Sequence, residues 1–142
     1  MKLNPALIHS IDKFETAAKI NDILANSGRI QEILIQVNTS NEDSKSGVRS
    51  TETIELIKRI SRLANVRIKG LMTIGAFTTD QENIRNCFRI LRKLFDQIKK
   101  MGIKNVDMRY LSMGMTGDFE IAIEEGANII RIGSAIFGAR EH

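Results

Sequence analysis

Apolar runs of strand length alternate with amphipathic stretches of helix length along the whole chain. That alternation limits the fold more than any single residue does. The runs are ALIHSI (6–11), EILIQVN (32–38), VRIKGLMTIG (66–75), MRYLSM (108–113) and NIIRIG (128–133). Between them lie DKFETAAKINDILANSG (12–28), STETIELIKRISRLAN (50–65), TDQENIRNCFRILRKLFDQIKKMG (79–102) and GDFEIAIEEG (117–126). A β-α-β-α-β-α-β-α-β order predicts an α/β fold whose parallel strands are joined by right-handed crossovers. The 142 residues suffice for a single domain over 1–142 with its own core.

The helical segments carry their own punctuation. Asp12 is a candidate N-cap with Glu15 three residues on, and Gly28 a candidate stop. A Ser or Thr cap is expected at 50–51, with Ile54, Ile57, Ile60 and Leu63 sharing one face. The long segment 79–102 closes on two lysines and a glycine, as the helix dipole favours.

Two architectures satisfy this order. One is an open, doubly wound sheet with helices on both faces, including a flavodoxin-like (βα)5 domain. The other is an arc of a (β/α)8 barrel with every helix on one side. In both, ligands gather beyond the carboxyl ends of the strands, and there each strand turns polar: His9 and Ser10, Gln36 and Asn38, Thr73, Ser112, Arg131.

Charge and composition narrow the function. The net charge of +4 is scattered over helix faces such as KRISR (58–62), and there is one Tyr and no Trp, which supplies no base-stacking platform. No nucleic-acid partner is expected, and no apolar run approaches a membrane span. The single Cys87 sits at an apolar helical position and reads as a core residue of a reducing, cytoplasmic setting. Two histidines, His9 and His142, offer no metal-ligand spacing.

The last strand carries the sharpest signal. Arg131 follows Ile129 and Ile130 and precedes Ile132 and Gly133. A guanidinium keeps its charge, so at a strand tip it calls for an anion, a carboxylate or a ring nitrogen. Gly133 and Ser134 open a segment, GSAIFG, that can form one helical turn, while SMGMTG (112–117), with Ser112, Met113 and Gly114, ends the preceding strand. Adjacent strand-end loops of this kind form a phosphate cup.

These residues resemble a known family. LSMGMTGDFEIAIEEGANIIRIGSAIFGAR (111–140) is similar to the C-terminal signature of the YggS/PROSC pyridoxal-phosphate (PLP) homeostasis proteins, relatives of the alanine racemase N-terminal barrel. The likeness extends to IHSID (8–12), LIQVN (34–38), Glu42, Lys45 and Gly47, and GLMTI (70–74). Thr116 and Gly117 depart from the usual Ser and variable residue, although Thr116 keeps the hydroxyl. The resemblance implies a (β/α)8 barrel, here its strands four to eight, with PLP at the carboxyl end. It places Ser112, the backbone of Arg131, Ile132 and Gly133, and Ser134 around the phosphate. Arg131 would face the pyridine ring, and Met72 would line the pocket. It also implies cofactor supply rather than turnover.

The family's first three strands, the first bearing the Schiff-base lysine, have no counterpart in these residues, and Lys2, Lys45 and Lys69 do not match it. Binding of PLP or phosphate is therefore expected to be non-covalent. A five-strand arc is also expected to leave edges unpaired and interior residues (Ile33 or Ile35, Leu71 or Met72, Ile129) facing water. Covering them calls for a homodimer or a complementing N-terminal segment, a role that would make the chain a non-catalytic half-barrel.

Overall fold

The computed structural model describes residues 4–40, 42, 46–133, 136 and 138. Its elements are β1 (Leu7–Ile11), α1 (Phe14–Leu24), β2 (Gln31–Asn38), β3 (Val48–Arg49), a 3₁₀ turn (Ser50–Glu52), α2 (Thr53–Ile60), β4 (Val66–Met72), α3 (Gln81–Met101), β5 (Val106–Met115), α4 (Phe119–Glu124) and β6 (Ile129–Arg131).

All strand pairs are parallel, and the sheet runs β1-β2-β4-β5-β6, with the two-residue β3 set beside the end of β2. Apart from that addition the spatial order is the chain order and never reverses. Right-handed crossovers then put every helix on the same face. That decides between the two architectures: the doubly wound and flavodoxin-like alternatives need a reversal of strand order, and the chain is an arc of a (β/α) barrel.

The core lies between sheet and helices. Ile33, Ile35 and Val37 of β2, Ile68 and Leu71 of β4, and Leu111 and Met113 of β5 form one cluster with Ala17, Ile57, Ile60, Phe88, Leu91 and Ile98. Each such aliphatic side chain taken fully out of water contributes roughly 1.5–3 kcal/mol. Cys87 is buried here too, its thiol donating to the Thr39 carbonyl at 3.4 Å.

The expectation of wetted interior residues needs correcting. Ile33, Ile35 and Leu71 are fully buried against the helices, and Met72 is only 4 % exposed. Of that group only Ile129 is half-exposed. The sheet curls enough for His9 of β1 to reach Ser112 of β5, Nδ1 to Oγ 3.4 Å, across two intervening strands. That curl removes the concave face from water at its centre. Gly70 permits part of it: a Cβ there would collide with the Tyr110 carbonyl on the neighbouring strand.

Helix ends differ from expectation at two places. Asp12 does not cap α1; its Oδ2 instead accepts the Gly47 N–H at 3.0 Å, tying the β1 end to the loop before β3. No side chain caps α2, because residues 50–52 wind into a 3₁₀ turn and Thr53 Oγ1 donates to the Arg49 carbonyl at 2.9 Å. The long helix ends as read, with Gly102 left-handed at φ 60°, and Asp80 accepts the Glu82 N–H at 3.1 Å at its start.

Candidate functional site

The carboxyl ends of β4, β5 and β6 enclose an open cavity of about 1210 Å³. Its wall is built by the loop after β4 (Ile74–Thr79), the turn after β5 (Met115–Asp118), and Arg131 and Gly133. Parallel strands with short crossovers bring these loops together, since each turn leaves the sheet at the same end.

Arg131 ends an edge strand and folds its side chain back over the sheet. Its Nη2 donates to the Thr73 carbonyl at 2.6 Å. Its Nε is buried and has no hydrogen-bond partner among the described residues. Burial pulls the Arg131 pKa below the usual guanidinium range, and the charge of Asp118 works in the opposite direction. Asp118 is itself fixed by accepting the Met115 N–H at 2.7 Å within the β5–α4 turn. A buried N–H donor without an acceptor is costly, so this one marks a place for an acceptor supplied from outside.

Thr73 holds the floor. Its hydroxyl donates to the Val37 carbonyl at 2.8 Å, lies 3.1 Å from Thr39 Oγ1, and accepts the Gly75 N–H at 3.3 Å. Its own N–H bonds the Ser112 carbonyl at 3.0 Å. The ends of β2, β4 and β5 and the side chain of Arg131 therefore meet at one residue.

The remaining residues singled out from the sequence divide in their placement. Ser112 is wholly buried beside His9, and Met72 pairs with it in register. Met113 packs in the helix-facing core, which leaves only its backbone for a ligand. Gly114, at φ 104°, is crowded: a Cβ would stand 2.7 Å from Ala122 Cβ and 3.3 Å from Ile130 Cγ2. Its glycine serves the packing of α4 on β5. Ile132 is half-buried beside the exposed Gly133, where an added Cβ would meet no atom within 4 Å. The Ile136 N–H returns to the Gly133 carbonyl at 3.1 Å, closing a turn. Ser134 lies outside the described residues, as do Lys2, Lys45 and His142.

Sequence reasoning passed over the loop Ile74–Thr79 and Asp118. The hydroxyls of TIGAFTTD (73–80) were the available signal, but nothing in that string announces a wall of the cavity.

Fold and site define a class: a stretch of parallel (β/α) barrel that presents a half-buried cation and open turns at its carboxyl end. The chain belongs to the family described as "Alanine racemase, N-terminal domain", whose sequence pattern matches residues 2–141. Curated relatives named pyridoxal phosphate homeostasis protein are 42% identical in Aquifex aeolicus (strain VF5) and 44% identical in Helicobacter pylori (strain ATCC 700392 / 26695), each match covering 96% of this chain. The chain spans 59% of the length of each of those relatives.

Among solved structures, a protein of unknown function from Bifidobacterium adolescentis superimposes with a TM-score of 0.89 at 42% identity, over 93% of this chain and 53% of its own. PipY of Synechococcus elongatus PCC7942, solved with PLP bound, gives 0.82 at 27% identity over 94% and 61%. Alanine racemase of Clostridium difficile 630, at 16% identity and a TM-score of 0.75 over 96% of this chain and 36% of its own, shares the fold.

Proposed function

We propose that these residues form the phosphate-and-ring side of a PLP site in a protein of PLP homeostasis, one that holds the cofactor rather than turning over a substrate. The observation that carries this is Arg131: a permanent cation, half-buried, lining the cavity, anchored through Nη2 to Thr73, with a buried Nε donor that has no partner among the described residues. The donor set suits the group. PLP brings a dianionic phosphate and a pyridine nitrogen that accepts one hydrogen bond. Arg131 supplies a donor for the nitrogen, while the backbone at Ser112–Gly114 and Arg131–Gly133, with Ser134, would hold the phosphate. A guanidinium donating to the ring nitrogen keeps its proton, so the nitrogen stays unprotonated. Bound PLP supplies an electrophilic aldehyde; an unprotonated ring moderates it, which suits storage and delivery.

The hold is non-covalent in this part of the molecule. The one strand lysine among the described residues, Lys69, is turned to the opposite end of the sheet, 3.1 Å from Asp107 and 3.8 Å from Glu32. The other described lysines sit on helices or their flanking turns. The same proposal includes a cytoplasmic setting, in keeping with the buried free thiol of Cys87. No helix among the described residues is long and apolar enough to cross a membrane.

Titration of the chain with PLP, followed by the cofactor's absorbance, tests the reading. Saturable binding weakened at least ten-fold in Arg131→Ala is expected, and borohydride should fix no cofactor to any lysine of this chain. Equal affinity of the two proteins, or a labelled lysine, would refute it.

A second reading concerns assembly. β1 and β6 are the outer strands of the arc, and β6 is only three residues long. Exposed strand edges seek partners. We propose that the edges are covered by a second copy or by the portion of the relatives' length that this chain does not span. A monodisperse monomer in analytical ultracentrifugation, without dye binding, would exclude it.

A further inference from the structure

We propose that His9 belongs to the same anion site and takes up a proton when a phosphoryl or sulfate dianion settles in the phosphate seat beside Arg131. The inference rests on the phosphate-binding reading above and assigns that site a further binding residue.

His9 stands on β1, at the far end of the sheet from β6, yet the curl of the strands brings it to Ser112, a residue of the proposed phosphate seat. Its Nδ1 lies 3.4 Å from Ser112 Oγ. Ser112 pairs in register with Ile129, two residues before Arg131 on β6. The guanidinium is near enough for its charge to act on the imidazole, and together with partial burial it lowers the His9 pKa, burial being the larger cause. The free site therefore keeps one cation, Arg131, and a neutral imidazole.

The Ser112 hydroxyl can face the imidazole in either of its protonation states. With His9 neutral and its proton on Nε2, Ser112 donates to Nδ1. With His9 protonated, Nδ1 donates and the same hydroxyl accepts. The contact between the two side chains is kept in either state with its direction reversed, and burial and surrounding charge together decide between the states. A dianion beside Arg131 offsets the guanidinium's repulsion, the smaller of the two causes that keep the proton off, and adds its own attraction for a protonated imidazole.

The other charges near β1 are engaged elsewhere. Lys69 of β4 pairs with both Glu32 of β2 and Asp107 of β5 at the amino-terminal end of the sheet. Asp12, one residue past β1, accepts from Gly47. Arg67 of β4 and Tyr110 of β5 stand in register with Glu32 and Gly70, before the strands' carboxyl tips. Asp118 acts on Arg131 from the β5–α4 turn.

The test follows the imidazole resonances of the whole chain by NMR from pH 5 to 9, free and with saturating sulfate. Sulfate remains a dianion throughout, so any proton taken up must reside on the protein. His9 and His142 are told apart by substituting His142. The His9 midpoint should rise by about one pH unit with sulfate, and sulfate should bind about ten-fold more tightly at pH 5.5 than at pH 8. In His9→Gln the affinity for sulfate should no longer rise from pH 8 to pH 5.5. A His9 midpoint unmoved by sulfate that demonstrably binds in the seat beside Arg131 overturns the inference and leaves the phosphate site standing. Failure of both sulfate and PLP to bind at any pH overturns the phosphate site and the inference with it.

Discussion

The guanidinium of Arg131 is tied to the carbonyl of Thr73 by a 2.6 Å hydrogen bond that passes over β5, joining the edge strand β6 to the end of β4. One residue of the floor thus positions the cation, whose buried Nε–H has no partner among the described residues.

A half-buried charge kept for a ligand costs the free protein stability. Arg131→Met removes that desolvation but also takes the donor from the buried Thr73 carbonyl, so the two should roughly offset and urea unfolding should move by no more than about 1 kcal/mol, while PLP binding is lost. Strong destabilisation would mean that Arg131 is a structural residue.

Thr73→Val keeps shape and removes the hydroxyl that serves Val37, Thr39 and Gly75. The loss of hydrogen bonds at a buried site should cost about 2 kcal/mol, read from the unfolding midpoint. It should also weaken PLP binding, because the carbonyl that holds Arg131 loses its fixed place.

Two glycines of the site separate packing from access. Gly114→Ala meets a left-handed backbone and the Ala122 methyl, and should destabilise by about 3 kcal/mol. Gly133→Ala meets no atom and should leave the unfolding midpoint within about 0.5 kcal/mol, but it puts a methyl into the cavity and should weaken PLP several-fold. The reverse pattern would place the cavity elsewhere.

Stability should respond to pH through His9. Its pKa in the folded chain lies below the ordinary value near 6.5, so below that pH the unfolded chain binds the extra proton first. The contribution is whole above about pH 6.5 and is lost as pH falls toward the folded midpoint. Thermal unfolding at pH 7.5 and 5.5 should show a smaller drop in His9→Gln than in the parent. Asp107, held below its usual range chiefly by the Lys69 hydrogen bond, adds a loss further into acid that His9→Gln leaves intact.

Much of this was legible in the sequence, for physical reasons. The strands and helices announced themselves because a parallel strand facing helices must be apolar and each helix must carry an apolar stripe. Arg131 stood out because a charge at the tip of such a strand has few uses. The curl of the sheet did not show. It depends on side-chain volumes across strands, such as the Gly70 backbone lying against the Tyr110 carbonyl, and with it went the burial of Met72 and the meeting of His9 with Ser112. Asp12 misled because an Asp before a helical pattern has the composition of a cap, whereas its true partner, Gly47, lies 35 residues away. The hydroxyls around Thr73 were visible, but that they converge on the carbonyl holding Arg131 follows from the register of β2, β4 and β5.

The most direct measurement watches the orphaned donor itself. In a ¹H–¹⁵N spectrum, the Arg131 Nε–H resonance, assigned by its loss in Arg131→Met, should move or broaden in proportion to occupancy as PLP is added. Cofactor that binds while that resonance stays where it was would contradict the account.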